Sequence, residues 1–150
     1  MRLESLAGRD MVSLLDFPPG EIRAILTLAA EAKANPGHYA RALDGKTLFL
    51  YFEKPSLRTR VTFEAGMTQL GGHAIYYSAS DGKIGVRESV EDVARNLDRW
   101  VDAAMCRTFR HELVADLARL SGRGAGNGHT VGQRPYQALA GRRTMEEVEE

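Results

Sequence analysis

The chain has 150 residues, 43% of them hydrophobic, which is enough to bury one sizeable core, so a single domain over residues 1–150 is expected. Basic and acidic residues number 20 each, and this zero net charge argues against a general nucleic-acid or membrane-surface binder, which needs excess positive charge. The lone Cys106 excludes an internal disulfide framework. No apolar run reaches the roughly 18–20 residues of a membrane span, and no signal-peptide layout opens the chain, so a cytoplasmic location is expected.

Helical and strand patterns alternate along the chain. Residues 18–21 carry prolines followed by an acid, a helix-start signal, and Asn35-Pro36-Gly37 ends the apolar periodicity that follows. The unbroken apolar run over residues 48–52 predicts a strand that is buried on both faces of a parallel sheet. Further strands are predicted at residues 73–77 and 101–109, and the latter would bring Arg107 to its carboxyl end.

Each of these strands precedes a predicted helix. The first such helix begins after Pro55 and ends at Gly71-Gly72. Ser89 can cap the next helix, and leucines at helical spacing mark another over residues 113–120. This order predicts an α/β fold, a three-layer αβα domain with a parallel, doubly wound sheet of about four strands.

The fourth strand conflicts with its own sequence. It should fall near residues 122–128, where the chain reads Gly-Arg-Gly-Ala-Gly-Asn-Gly and offers almost nothing to pack on a sheet. The run does not fit a nucleotide-binding loop either, so a flexible loop is expected. A last helix should open after Pro135. Residues 110–150 are therefore expected to fold only marginally in isolation.

A candidate anion site follows the first predicted strand. Ser56, Arg58 and Thr59 should lie at a helix N-terminus, where unpaired N–H groups and the positive end of the helix dipole favour phosphate. The alternative is a capped helix with a solvated basic first turn, but arginines there oppose the dipole unless they serve an anion. Arg60 and Glu64, at i,i+4 spacing, are expected to form a structural pair.

Residues 52–61 read Phe-Glu-Lys-Pro-Ser-Leu-Arg-Thr-Arg-Val and resemble the Ser-Thr-Arg-Thr-Arg signature of the aspartate/ornithine carbamoyltransferase family. The Phe-Glu-Lys-Pro lead is more similar to the ornithine branch than to the aspartate branch. Further similarity lies, in order, at residues 84–95, 102–109, 127–130 and 135–139. The resemblance covers about residues 3–148 and becomes ragged from Leu120 onward.

The resemblance implies the N-terminal domain that binds carbamoyl phosphate, with the amino-acid-binding domain absent. It implies active sites between the subunits of a homotrimer and transfer of the carbamoyl group to ornithine, forming citrulline in arginine metabolism, without metal or cofactor. Arg107 and Thr59 would be catalytic. The implied carbamoyl-phosphate-binding residues are Ser56, Leu57, Arg58, Thr59, Lys83, Arg107, Arg134 and Gln137, with Lys83 on a loop that reaches a neighbouring subunit.

Two of the implied site residues depart from the family pattern. Arg134 stands where the family has a histidine that polarises the carbamoyl carbonyl; the longer arginine either overfills the site or binds the phosphate. Lys83 stands where the ornithine branch usually has glutamine. Alternatives to a truncated ornithine-type domain that is inactive alone are a non-catalytic remnant, an assembly module for complete subunits, or an aspartate-type domain.

The remaining reactive residue types are expected to be structural. Cys106 is expected to be a small buried hydrophobe. The histidines have no metal-ligand spacing, so they are read as solvated or structural; they are His38, His73, His111 and His129.

Overall fold

The computed structural model describes residue 6, residues 8–130 and residues 132–149. Over these residues a short 3-10 turn, Leu14–Asp16, precedes an alternation of helices and strands. The helices are α1 (Pro19–Ala34), α2 (Pro36–Tyr39), α3 (Leu57–Gln69), α4 (Val90–Trp100), α5 (His111–Leu120) and α6 (Pro135–Glu149). The strands are β1 (Thr47–Phe52), β2 (His73–Ser78), β3 (Ala103–Arg107) and β4 (Gly124–His129).

The four strands form one parallel sheet in the order β2-β1-β3-β4. The chain adds β2 on one side of β1, then crosses back to add β3 and β4 on the other side. The winding direction therefore changes between β1 and β3. In such sheets the loops beyond the strand carboxyl ends diverge at the switch point and leave a crevice for a ligand. The predicted α/β fold is confirmed, and the switch point of its sheet lies between β1 and β3.

Side chains of β1 alternate between two apolar clusters, one on each face of the sheet. Leu50 and Phe52 pack with Met67 of α3, whereas Tyr51 packs on the opposite face with Leu117 of α5. All three β1 residues are at most 1% exposed. Burial on both faces explains the continuous apolar run of β1, and it makes the molecule three layers thick.

The expectation of a flexible loop over the glycine run is wrong. Gly124–His129 is the fourth strand, paired in parallel with β3. The strand is well buried: Ala125 and Asn127 are 4% and 0% exposed. Glycine contributes no side chain to a core, so the material that fills this part of the sheet comes from elsewhere in the chain.

Two neighbouring side chains occupy the room that the glycines leave. A Cβ on Gly126 would overlap the Tyr136 hydroxyl from α6, and a Cβ on Gly128 would overlap the sulfur of Met105 in β3. Met105 is only 1% exposed, and Tyr136 packs edge-on against Phe63 of α3. The glycines are therefore positions where neighbouring side chains approach the strand backbone closely.

The outer edge of β4 is covered by the segment just before the 3-10 turn. The Met11 N–H donates to the Ala125 carbonyl at 2.9 Å, and the Asn127 N–H donates to the Met11 carbonyl at 2.9 Å. The Asp10 carboxylate accepts from the Ala125 N–H at 2.7 Å. This pairing satisfies backbone groups that a bare edge strand would expose.

The helix boundaries follow the local signals. Pro19 and Pro135 occupy first-turn positions of α1 and α6, and the Ser89 hydroxyl caps α4 by accepting from the Asp92 N–H at 3.0 Å. Beyond α3, Gly71 takes a positive φ of 85° that suits glycine. Within the described part of the chain no helix is long and apolar enough to cross a membrane.

Candidate anion-binding site

The loop after β1 leads directly into α3. Ser56 is the N-cap residue in an extended conformation, but its hydroxyl does not cap the helix and instead donates to Thr59 Oγ1 at 3.0 Å. The first N–H groups of a helix have no partner within the helix. Because no side chain of the described residues caps this end, the first-turn amides and the Ser56–Thr59 hydroxyl pair remain available to an oxyanion.

Two arginines leave this turn in different roles. Arg58 is exposed and forms no ion pair with any described residue, while the neighbouring Leu57 is 79% exposed. Arg60 pairs with Glu64 at 3.0 Å and lies over the Tyr76 ring at 3.7 Å. The predicted structural pair is confirmed, so of the two guanidinium groups only that of Arg58 has no anionic partner in the described part of the chain.

The carboxyl end of β3 lies beside this turn. Arg107 pairs in register with Phe52, the last residue of β1. The Glu53 N–H donates to the Arg107 carbonyl at 2.8 Å, and the Glu53 carboxylate accepts from the Phe109 N–H at 2.7 Å. Glu53 therefore ties together the loops that leave β1 and β3, a role that the sequence did not reveal.

Arg107 contacts His129, one of the histidines predicted to be solvated or structural. Arg107 Nη1 lies 2.9 Å from His129 Nδ1 at the end of β4. The signal available in the sequence was that His129 follows a segment expected, on topology alone, to be a strand. The glycine run, which lacks strand-forming side chains, hid this signal.

Cations crowd this edge of the sheet. Burial, with the charge of Arg134 as a smaller cause, lowers the pKa of Arg107. Burial is also the first cause that lowers the pKa of His129, followed by the charges of Arg107, Arg134 and Lys54. A chain without net charge thus concentrates positive charge at the β1–β3–β4 edge, where an anion would be attracted.

The other predicted site residues lie around this edge. Lys83 Nζ is 3.9 Å from Glu53 Oε1, and the Glu53 side chain is 6% exposed. Gln137 is exposed in the first turn of α6 and forms no side-chain hydrogen bond with the described residues. The structure thus brings Ser56 together with Thr59, and it places the positive charge of Arg134 near Arg107.

Two clefts lie beside two of the predicted site residues, Lys83 and Arg134. A cleft of about 520 Å³ lies on the Lys83 side, between β2, the 81–88 loop and α4, and a cleft of about 260 Å³ lies beside Arg134. Neither cleft is lined by Ser56, Thr59 or Arg107.

The one cysteine lies in the core of the sheet. Burial raises the pKa of Cys106 to about 12, so its thiol stays protonated and behaves as a buried hydrophobe, as predicted. In the described ranges no group of three or more histidine, cysteine or acidic side chains is arranged to hold a metal ion. The chemistry that the edge supports is hydrogen bonding and charge stabilisation.

Comparison with known proteins identifies the family. Residues 9–147 match the model described as "Aspartate/ornithine carbamoyltransferase, carbamoyl-P binding domain". The chain is 48% identical over 145 residues to the ornithine carbamoyltransferase of Anoxybacillus flavithermus, an alignment that covers 95% of this chain and 46% of that protein. The ornithine carbamoyltransferase of Listeria monocytogenes serotype 4a is 46% identical over 141 residues, covering 94% and 45%.

Solved structures agree with this assignment. The ornithine carbamoyltransferase of Pyrococcus furiosus superposes with a TM-score of 0.93 at 43% identity, covering 96% of this chain and 47% of that one. That of Thermus thermophilus gives 0.86 at 44% identity, covering 93% and 48%. The chain spans less than half the length of these relatives. It belongs to the aspartate/ornithine carbamoyltransferase family and corresponds to that family's carbamoyl-phosphate-binding domain.

Proposed function

We propose that this chain binds carbamoyl phosphate at the β1/β3 switch point and is the N-terminal part of an ornithine carbamoyltransferase. The observation that carries the proposal is that the uncapped α3 N-terminus, with its Ser56–Thr59 hydroxyl pair, follows β1 directly, and that the end of β1 pairs with the end of β3 that carries Arg107. Amides, hydroxyls and guanidinium groups are the donors that phosphate oxygens need.

The phosphate would occupy the α3 N-terminus. Ser56, the Leu57 N–H, Arg58 and Thr59 donate to its oxygens there, and the exposed Arg58 supplies a charge that no described acid neutralises. Arg134 adds positive charge to the same edge, which favours its role as a phosphate ligand over a merely overfilling side chain.

The carbamoyl group would lie toward β3. In the reaction an amine attacks the carbonyl carbon, a tetrahedral intermediate forms, and the bond from that carbon to the phosphate oxygen breaks. The amine loses a proton, which the departing phosphate can accept. Arg107 and Thr59 would stabilise the oxyanion as it develops, and Gln137 would orient the carbamoyl N–H groups.

The remainder of the enzyme is part of the same proposal. We expect ornithine as the acceptor, citrulline as the product in arginine biosynthesis, a cytoplasmic location, and a homotrimer in which the Lys83 loop reaches a neighbouring site. The comparisons support this part of the proposal, because the chain spans less than half the length of the relatives that it matches. This chain alone is expected to bind weakly and not to turn over.

Calorimetric titration with carbamoyl phosphate tests the proposal. Arg58→Ala should weaken binding at least tenfold, since a hydrogen bond to a charged group contributes about 1.5–3 kcal/mol. Arg95→Ala is the matched control, because Arg95 is a 70% exposed arginine on α4 whose only described partner is Glu91. Equal heats for the wild type and Arg58→Ala would rule out the proposal.

A role as an assembly module is the second candidate. Large apolar side chains are exposed on α3 and on the β2 edge, where Leu57, Val61 and Ile75 are 79%, 50% and 42% exposed. Size measurement of the chain alone, and mixed with a complete ornithine carbamoyltransferase, separates the two roles. Mixed oligomers combined with no carbamoyl phosphate binding would favour the assembly module.

A further inference from the structure

An irregularity in β4 places His129 opposite Arg107. The β3–β4 register pairs Cys106 with Asn127 and then Arg107 with His129, so Gly128 is the extra residue of a β-bulge. A β-bulge beside a functional site changes the direction in which a side chain points. Gly128 permits this one, because a Cβ there would overlap the Met105 sulfur and lie 3.2 Å from the Cys106 carbonyl oxygen. In a regular register Arg107 would face a glycine instead of an imidazole.

The contact between these side chains fixes the state of the histidine. A guanidinium group has only donors, so His129 Nδ1, 2.9 Å from Arg107 Nη1, must accept. The imidazole is then neutral and carries its proton on Nε2. The charges that act on the ring all favour the neutral form: they are Arg107 on β3, Arg134 before α6 and Lys54 after β1.

His129 is the single side-chain anchor of Arg107 among the described residues. Arg107 Nε is buried and finds no acceptor there, and Nη2 has no hydrogen-bond partner among those residues. Without the imidazole, the guanidinium could rotate about its side-chain torsions. With it, Nη1 is pinned on the β4 side, and Nη2 keeps both hydrogens for a ligand oxygen.

We propose that His129 is a positioning residue for anion binding, a neutral acceptor that anchors Arg107 so that its guanidinium is oriented before the ligand arrives. The inference rests on the proposed function, since it assigns His129 a role at the same site. A guanidinium group that is already oriented loses less conformational entropy on binding than a mobile one. The contact with His129 should therefore raise the affinity for the anion.

Two substitutions separate an anchor from simple packing. The Oδ1 atom of asparagine and the Nδ1 atom of histidine are both bonded to Cγ, so they are the same number of bonds from the backbone. His129→Asn therefore retains an acceptor. His129→Leu keeps a side chain of similar size and removes the acceptor. In calorimetric titration of the full chain with phosphonoacetamide, a stable carbamoyl phosphate analogue, affinity should fall about tenfold for His129→Leu and stay within about twofold for His129→Asn.

Nitrogen-15 NMR of the imidazole gives a readout that does not depend on ligand or on either variant folding. The wild type at neutral pH should carry its His129 proton on Nε2, and a proton on Nδ1 would overturn the inference. So would equal affinity of His129→Leu and the wild type, or a loss in His129→Asn as large as in His129→Leu. When one of these results is obtained, the Arg58→Ala variant shows which proposal fails. If Arg58→Ala binds the analogue more weakly than the wild type does, only the positioning role of His129 fails. If Arg58→Ala binds like the wild type, the proposed function fails as well.

Discussion

Residues 52–64 and residues 124–136 both contribute to the same edge of the sheet, but different parts of the chain determine their structures. The first region is an apolar strand end, a proline and a helix start, and each element forms where its own sequence predicts it. The second is a glycine-rich strand whose volume is supplied by Met105 and Tyr136. A strand can thus be specified by the side chains that pack on it as well as by those it carries.

The largest effect is expected when a methyl group is added to a glycine of β4, with a glycine of α3, the helix that begins in the first region, as the control. Gly128→Ala should lower the free energy of unfolding by about 3 kcal/mol, because the new Cβ meets the buried Met105 side chain and a backbone carbonyl. Urea denaturation measures the change.

Gly66→Ala is the control in α3, where a Cβ would meet nothing within 4 Å. It should raise stability by up to about 1 kcal/mol, since alanine favours a helix over glycine. If both variants lose stability to the same extent, the glycines of β4 are not positions of close approach.

The second prediction concerns Gly126 and its neighbour Tyr136. Gly126→Ala should destabilise the protein by about 2 kcal/mol, because the Cβ would overlap the Tyr136 hydroxyl. In a Tyr136→Phe background the same substitution should cost about 1 kcal/mol less, since the overlapping oxygen is gone. A double-mutant cycle by urea denaturation measures this coupling, and strict additivity would show that the two positions do not share a packing site.

The smallest expected effect is a pH dependence from His129. Its pKa is lowered in the folded protein, chiefly by burial and then by the nearby cations. As the pH falls, the unfolded chain takes up this proton first, near its ordinary pKa of about 6.5. Stability is therefore intact above about pH 6.5 and is lost as the pH falls toward the folded pKa.

His129→Asn removes this titration and serves as the comparison. Between about pH 7 and pH 5, thermal or urea unfolding should show a smaller loss of stability for the variant than for the wild type. An equally steep loss in both proteins would mean that His129 is not held in its neutral form by the site.

The sequence was sufficient wherever a local signal and the fold agreed. Residues 48–52 are apolar without a break because β1 is buried on both faces, and Ser89 caps α4 through its own hydroxyl. Cys106, in the middle of an apolar strand, could be assigned to the core. The position of Arg107 followed from the strand end, since parallel strands bring their carboxyl ends to one edge.

Tertiary structure decided the rest. Glycine carries no information about the volume beside it, so the prediction over residues 122–128 failed where Met105 and Tyr136 fill β4 from neighbouring elements. The contact of His129 with Arg107 depends on a register shift between two strands, which a pattern within either strand does not encode. Local periodicity and turn chemistry determined the order of the elements and the helix N-terminus that favours phosphate. Packing and register across the sheet determined the fourth strand and the partner of Arg107.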